Sequence, residues 1–179
     1  MNRLRSFLPL ILFGLLAIGL AAVLFFNKDD KLPSNLIDEP FPEFILTTLD
    51  NPDQTVDQTI LEGRVSLVNV FGSWCVACVV EHPVLMKISQ QGRVQMVGMN
   101  WRDKRAKGRA WLDKHGDPYD IILFDEISEL AVGIGVTGAP ENYLIDKKGR
   151  IRLKHVGVMT PDIWKRDFLP LIELLEGET

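Results

Sequence analysis

The stretch Val65-Ser66-Leu67-Val68-Asn69-Val70-Phe71-Gly72-Ser73-Trp74-Cys75-Val76-Ala77-Cys78 decides how this chain is read. Its first part is a near-continuous apolar run, the pattern of a central β-strand covered on both faces. From 79 to 89 the pattern is helical, which predicts that the two cysteines sit at a strand-to-helix junction. There the unpaired N–H groups and partial positive charge of a helix N-terminus stabilise an anion, favouring Cys75 as a thiolate below the free thiol value of about 8.5. Thiolate is the attacking species in disulfide exchange. Cys75 and Cys78 are the chain's only cysteines, so the pair reads first as a redox couple.

Other uses of the pair are weaker. A tetrahedral zinc site needs four ligands, and the second Cys-x-x-Cys or His-x-x-x-His half is missing. Covalent haem attachment requires Cys-x-x-Cys-His, and position 79 is valine. A purely structural disulfide closing so short a loop removes little chain entropy. A metal-binding module remains the rival from another class, with Cys75, Cys78 and His82 at i, i+3 and i+7 on one helical face.

Upstream, residues 7–26 form an uncharged, mostly aliphatic run, long enough for a helix across a hydrocarbon core of about 30 Å. Arg3 and Arg5 precede it, while Lys28-Asp29-Asp30-Lys31 is balanced, so the positive-inside rule leaves the N-terminus in the cytoplasm. A cleaved signal peptide fits less well, since its apolar region is usually about 7–15 residues and no clear Ala-x-Ala site follows. The expected division is a cytoplasmic N-terminus at 1–6, a transmembrane anchor at 7–26, a proline-containing linker at 27–40 and an outer domain at 41–179. All 24 acidic residues follow the anchor with 18 of the 20 basic ones, a formal net charge of −6. Nucleic acid is thereby disfavoured as a partner. In an oxidising compartment outside the cytoplasm a working dithiol needs an electron source.

Along the outer domain, strands are expected at 44–46, 55–56, 65–71, 94–99 and 120–124, then a hairpin of 142–146 and 150–156 turning at Asp146-Lys147-Lys148-Gly149. Helices are expected at 79–89 with a kink at Pro83, at 103–115, at 127–132, and from Thr160-Pro161 onward with a bend at Pro170. In the second of these, Ala106, Ala110, Trp111 and Lys114 recur at helix spacing; in the last, Trp164, Phe168, Leu171, Ile172 and Leu175 share one face. This order predicts an α/β fold, a thioredoxin-like mixed sheet flanked by helices and preceded by one N-terminal transmembrane helix.

The segments Trp74-Cys75-Val76-Ala77-Cys78, Glu81-His82-Pro83, Val97-Gly98-Met99-Asn100 and Gly135-Val136-Thr137-Gly138-Ala139-Pro140-Glu141 carry a closer likeness. With them the chain resembles the cytochrome c biogenesis thiol:disulfide interchange proteins of the DsbE/CcmG type, over about 36–175 and the anchor. The resemblance implies a single-pass protein of the bacterial inner membrane with a periplasmic domain, reducing the haem-binding cysteines of apocytochrome c or its maturation partners. It further implies recharging by a membrane electron donor of the DsbD type. No cofactor or metal is expected.

Residue by residue, the resemblance implies that Cys75 attacks and Cys78 resolves, that Trp74 shields the pair at the partner surface, and that Pro140 is cis and faces the sulfurs. Glu81, at i+3 from Cys78, and Glu141, beside Pro140, match acidic positions near the thiols; a carboxylate there suits proton transfer from Cys78. Two departures stand out. The family usually has proline between the cysteines, where this chain has Val76-Ala77, which leaves the reduction potential open; 30 mV is only about 1.4 kcal/mol. Phe71-Gly72 replaces a more usual Trp-Ala, and Gly72 is expected to loosen the strand end. The rival readings are a general periplasmic disulfide exchange enzyme, the metal module, and a non-catalytic module that holds extended segments on the Pro140 loop.

Overall fold

A computed structural model describes residues 3–26 and 36–178, with side chains of the first stretch described at positions 7 and 9–22. Two units divide between residues 32 and 33. The first is helix α1 (Arg3–Phe26), with Pro9 inside it and no acidic residue in its first turn. Among the described residues no helix is long and apolar enough to cross a membrane. The anchor is thus an expectation of the sequence pattern alone.

The second unit is built on a seven-stranded sheet of order β2-β1-β5-β4-β3-β6-β7. Its strands are β1 (Ile45–Thr48), β2 (Thr55–Asp57), β3 (Ser66–Phe71), β4 (Gln95–Trp101), β5 (Ile121–Asp125), β6 (Glu141–Ile145) and β7 (Ile151–Val156). β3, β4 and β5 are parallel neighbours, and the remaining pairings are antiparallel. Every residue of β3 is buried, as a strand flanked on both sides and covered on both faces must be. The β6–β7 hairpin turns where Asp146 Oδ1 accepts the N–H groups of Lys148 and Arg150, and Gly149 supplies the left-handed φ of 74°.

Helix α2 (Val76–Ser89) runs on for six residues beyond Pro83. It begins three residues earlier than the apolar pattern suggested, because Cys75 caps it with its own sulfur. Helix α3 (Arg105–His115) buries Gly108, Trp111 and Leu112, whereas Ala106, Ala110 and Lys114 are exposed. That expected stripe is corrected by about one position: a Cβ at Gly108 would lie 2.8 Å from Asn100 Oδ1, so close backbone approach, which side-chain hydropathy does not report, selects the face.

Short helix α4 (Glu129–Gly133) follows β5, with buried Asp125 accepting the N–H groups of Glu129 and Ala131. After α5 (Pro161–Ile163), capped by Thr160, a π-helical turn (Trp164–Phe168) leads into α6 (Leu169–Gly177), with Pro170 in the first turn of α6. Pro170 has no N–H to continue an α-helical ladder, and its ring crowds the carbonyl four residues earlier.

One core packs Leu67, Met96 and Leu144 of the sheet against Leu85 and Ile88 of α2 and Phe168, Ile172 and Leu175 of the C-terminal helix. The other joins Val68, Val70, Val97, Met99, Tyr143 and Ile145 to Phe41, Phe44, Leu61 and Leu130. Of the expected linker, 27–35 lies outside the described residues. The part at 36–40 belongs to the domain instead: Asp38 donates its N–H to Ile151 O, and Ile151 returns one to Glu39 O.

Candidate active site

The end of β3 delivers Phe71-Gly72-Ser73-Trp74-Cys75 into the first turn of α2. Cys75 and Cys78 are joined in a disulfide, with an S–S distance of 2.05 Å. Cys75 has extended backbone at the N-cap, and its Sγ accepts the N–H of Cys78 at 3.0 Å. One of the orphan donors of the helix therefore points at the sulfur expected to carry charge, and the helix dipole has the same sign of effect. Both cysteines are buried in a cluster with Phe71, Trp111, Leu112 and the partly buried Ala139.

Asp103, from the β4–α3 connection, holds the approach to Cys75. Its Oδ2 accepts the Ser73 N–H at 2.6 Å and the Asn100 amide at 3.1 Å; its Oδ1 accepts the Ser73 hydroxyl at 2.8 Å and the Lys104 N–H at 2.8 Å. Burial pushes the Asp103 carboxyl up, but these four donors outweigh it and leave it below the usual carboxylate value. Trp74 is half-exposed. Its indole N–H donates to Trp101 O at 3.1 Å, and its ring meets Trp101 edge-on. The ring also lies on Gly72, where a Cβ would stand 2.5 Å from Trp74 Nε1. Gly72 therefore seats the Trp74 ring.

Pro140 follows a cis peptide bond from Ala139, as the resemblance implies, and it is buried. Its carbonyl accepts the N–H of Gly157 at 2.9 Å. Neither the N–H nor the C=O of Ala139 has a backbone partner among the described residues, so one short edge of main chain stands open beside the cysteine cluster.

The two glutamates are both fully buried but are placed differently. Glu81, on α2, accepts the amide of Asn69 at 2.7 Å on Oε1, and on Oε2 the amide of Asn142 at 3.2 Å and the N–H of Met159 at 2.8 Å. Asn69 is oriented by the Tyr119 hydroxyl, which donates to Asn69 Oδ1 at 2.6 Å. Burial raises the Glu81 carboxyl to about 7 despite three donors. Glu141 turns instead to the loop before Pro140, accepting from the Thr137 and Gly138 N–H groups, the Thr137 hydroxyl and the Tyr143 hydroxyl, with Lys154 Nζ 3.2 Å away. Burial works against its charge, yet the hydrogen bonds from Thr137 and Tyr143 and the Lys154 cation hold it below its ordinary value.

His82 Nε2 lies 2.9 Å from Gly116 O and its ring stands edge-on to Trp111. Among the described residues no three His, Cys, Asp or Glu side chains gather as a metal site. Asp103, Asn69, Asn142 and Tyr119 were not singled out from the sequence. One signal was visible for Asn69: it is polar and sits in the middle of an otherwise apolar buried strand, where a side chain of that kind requires partners.

A Redoxin family model matches residues 37–168. The thiol:disulfide interchange protein DsbE of Allochromatium vinosum is 40% identical over 176 residues, covering 97% of this chain and 95% of that one. DsbE of Escherichia coli K12 is 40% identical over 183 residues, covering 99% and 98%. The crystal structure of the thioredoxin domain of a thiol-disulfide oxidoreductase from Bacteroides vulgatus superposes with a TM-score of 0.65 at 15% identity, covering 81% of this chain and 99% of that one, which establishes the fold. A capped Cys-x-x-Cys pair on a thioredoxin-like sheet, matched along nearly its whole length by these relatives, makes the chain a thiol:disulfide oxidoreductase that belongs to the DsbE type of the redoxin family.

Proposed function

We propose that the protein is a periplasmic dithiol reductant, tethered to the inner membrane by the apolar run at 7–26, that reduces the haem-binding cysteines of apocytochrome c or of its maturation partners. The observation that carries the direction of attack is the Cys78 N–H directed at Cys75 Sγ at the N-cap of α2. In the reduced protein the same donor stabilises a Cys75 thiolate.

The thiolate attacks one sulfur of the partner's disulfide. A bond forms between Cys75 Sγ and that sulfur, the partner's S–S bond breaks, and its other sulfur leaves as a thiolate that takes up a proton. Cys78, deprotonated, then attacks Cys75 Sγ, closing the Cys75–Cys78 disulfide and releasing the partner's second thiol. The partner gains two electrons and the protein loses two. A membrane dithiol donor of the DsbD type returns them by the same exchange in reverse.

In this reading Glu81, one helical turn from Cys78 and raised by burial to about 7, accepts the Cys78 proton as general base. Trp74 covers the pair at the partner surface, and the open Ala139 edge beside Pro140 pairs with an extended partner segment.

The test is a trap. Full-length Cys78→Ser, expressed at its own membrane, retains the nucleophile but not the resolving thiol, so partners accumulate as mixed disulfides on Cys75. Apocytochrome c or its maturation partners in the trap support the proposal. A broad set of secreted proteins points to a general exchange enzyme, and a functional Cys75→Ser protein would overturn the nucleophile assignment.

A further inference from the structure

We propose that Lys154 is a positioning residue for disulfide exchange: its buried ion pair with Glu141 fixes the loop before Pro140, and with it the Ala139 edge on which an extended partner is aligned. The inference rests on the reading of that edge as the partner's docking strand.

Lys154 lies on β7, the outermost strand on this side of the sheet. Lysine on an edge strand ordinarily extends into water and blunts the edge. Here its side chain is only 7% exposed and runs inward to Glu141 Oε2, against a carboxylate with no exposure at all. Burying a charge is unfavourable unless it is paired and hydrogen-bonded, and Lys154 is both. Its Nζ also donates to Gly135 O at 2.7 Å and lies 5.2 Å from the centre of the Tyr143 ring.

Glu141 completes the clamp from the other side. Its Oε1 takes the Thr137 N–H at 2.8 Å, the Thr137 hydroxyl at 2.6 Å and the Gly138 N–H at 3.2 Å. Its Oε2 takes the Tyr143 hydroxyl at 2.6 Å, and that hydroxyl oxygen is 3.3 Å from Ile134 O. The bonds thus fall on residues 135, 137 and 138, immediately before the cis peptide. On the far side, the N–H of Gly157, just past the end of β7, secures Pro140 O. Ala139 is left as the open position between two fixed ones.

The cap on Cys75 comes from the Cys78 N–H, whereas the bonds of Lys154 and Glu141 fall on Gly135, Thr137, Gly138 and Tyr143. Loss of the lysine therefore loosens the edge without altering the cap on Cys75. A partner that pairs with the main chain feels this, and a small disulfide with no main chain does not.

The experiment uses reduced full-length protein in detergent and two probes: a peptide with an intramolecular Cys-x-x-Cys-His disulfide, and hydroxyethyl disulfide. For Lys154→Met the expected result is a roughly tenfold loss of kcat/KM on the peptide, carried by KM, the effect of about one misplaced hydrogen-bonding edge. The rate on hydroxyethyl disulfide stays the same, and Lys154→Arg, which keeps the charge and a donor for Gly135 O, restores part of the loss. Should Lys154→Met fail to fold, Thr137→Val removes one bond to Glu141 and is expected to shift KM the same way by a smaller factor. Equal losses on both probes, or no loss on either, overturn the assignment. If wild-type protein shows no preference for the peptide over hydroxyethyl disulfide, the docking-edge reading itself has failed.

Discussion

Glu81→Gln in the oxidised full-length protein offers a direct reading of what burial does to the acid one helical turn past Cys78. Glu81 is fully buried, and its carboxyl is raised from an ordinary 4.5 to about 7, chiefly by burial. At about 1.4 kcal/mol per pH unit this corresponds to about 3 kcal/mol of folding free energy. The sign follows from proton binding. Between 4.5 and 7 the folded protein holds a proton on Glu81 that the unfolded chain has released, so stability is fully present below 4.5 and is lost as pH rises through 7. Glutamine keeps the shape but not the titration; its NH2 faces donors from Asn69, Asn142 or Met159, giving a penalty that does not depend on pH. Urea unfolding at a series of pH values, followed by near-UV circular dichroism, yields the difference in stability between wild type and variant. That difference removes His82, which burial lowers and whose slope is opposite, and in the oxidised protein no thiol titrates. The wild type is expected to lose about 3 kcal/mol relative to the variant between pH 4.5 and pH 8. A difference independent of pH, or one that grows in the wild type's favour as pH rises, would show that Glu81 is not raised by its burial.

Three further outcomes follow from named contacts. Asp103→Ala strips acceptors from Ser73, Asn100 and Lys104 and should cost about 1–3 kcal/mol in urea unfolding, with Asp103→Asn costing less. Gly72→Ala places a Cβ 2.5 Å from Trp74 Nε1, so the indole must leave Trp101 O; the fluorescence of the folded oxidised protein should shift toward that of a more exposed tryptophan. An unchanged spectrum would show that the strand end gives way instead. Leu67→Ala opens a hole in the core beneath α2 and α6 and should destabilise by about 2–5 kcal/mol, measured by the same unfolding assay.

Much of this architecture was written locally in the chain. The apolar run of β3, the Cys-x-x-Cys after it, the Asp146-to-Gly149 turn and the apolar face carrying Trp164, Phe168, Ile172 and Leu175 each follow from short-range rules. What escaped is what depends on residues distant in sequence. Asp103 caps a loop 30 residues away, and Asn69 meets Asn142 across 73 positions. The resemblance places Glu141 near the thiols, and its hydrogen-bonding partners, Tyr143 and Lys154 on strands and Thr137 in the loop, are not marked by any local pattern. The apolar pattern starts α2 three residues late because a cysteine sulfur serves as the cap, a role usually filled by Ser, Thr, Asp or Asn. The buried face of α3 escapes a hydropathy pattern because glycine contributes nothing to one, although its missing side chain is what lets the helix sit against Asn100.

In the proposed function Cys75 delivers two electrons from this protein to a Cys-x-x-Cys-His disulfide. Reduced full-length protein is mixed with one equivalent of a peptide carrying that disulfide, quenched in acid, and the masses of alkylated species are followed in time. The expected course is a transient Cys75–peptide mixed disulfide, then reduced peptide and a Cys75–Cys78 disulfide in equal amounts, with Cys78→Ser halting at the mixed species. Peptide that stays oxidised while the protein stays reduced, or a mixed disulfide formed through Cys78, would contradict it.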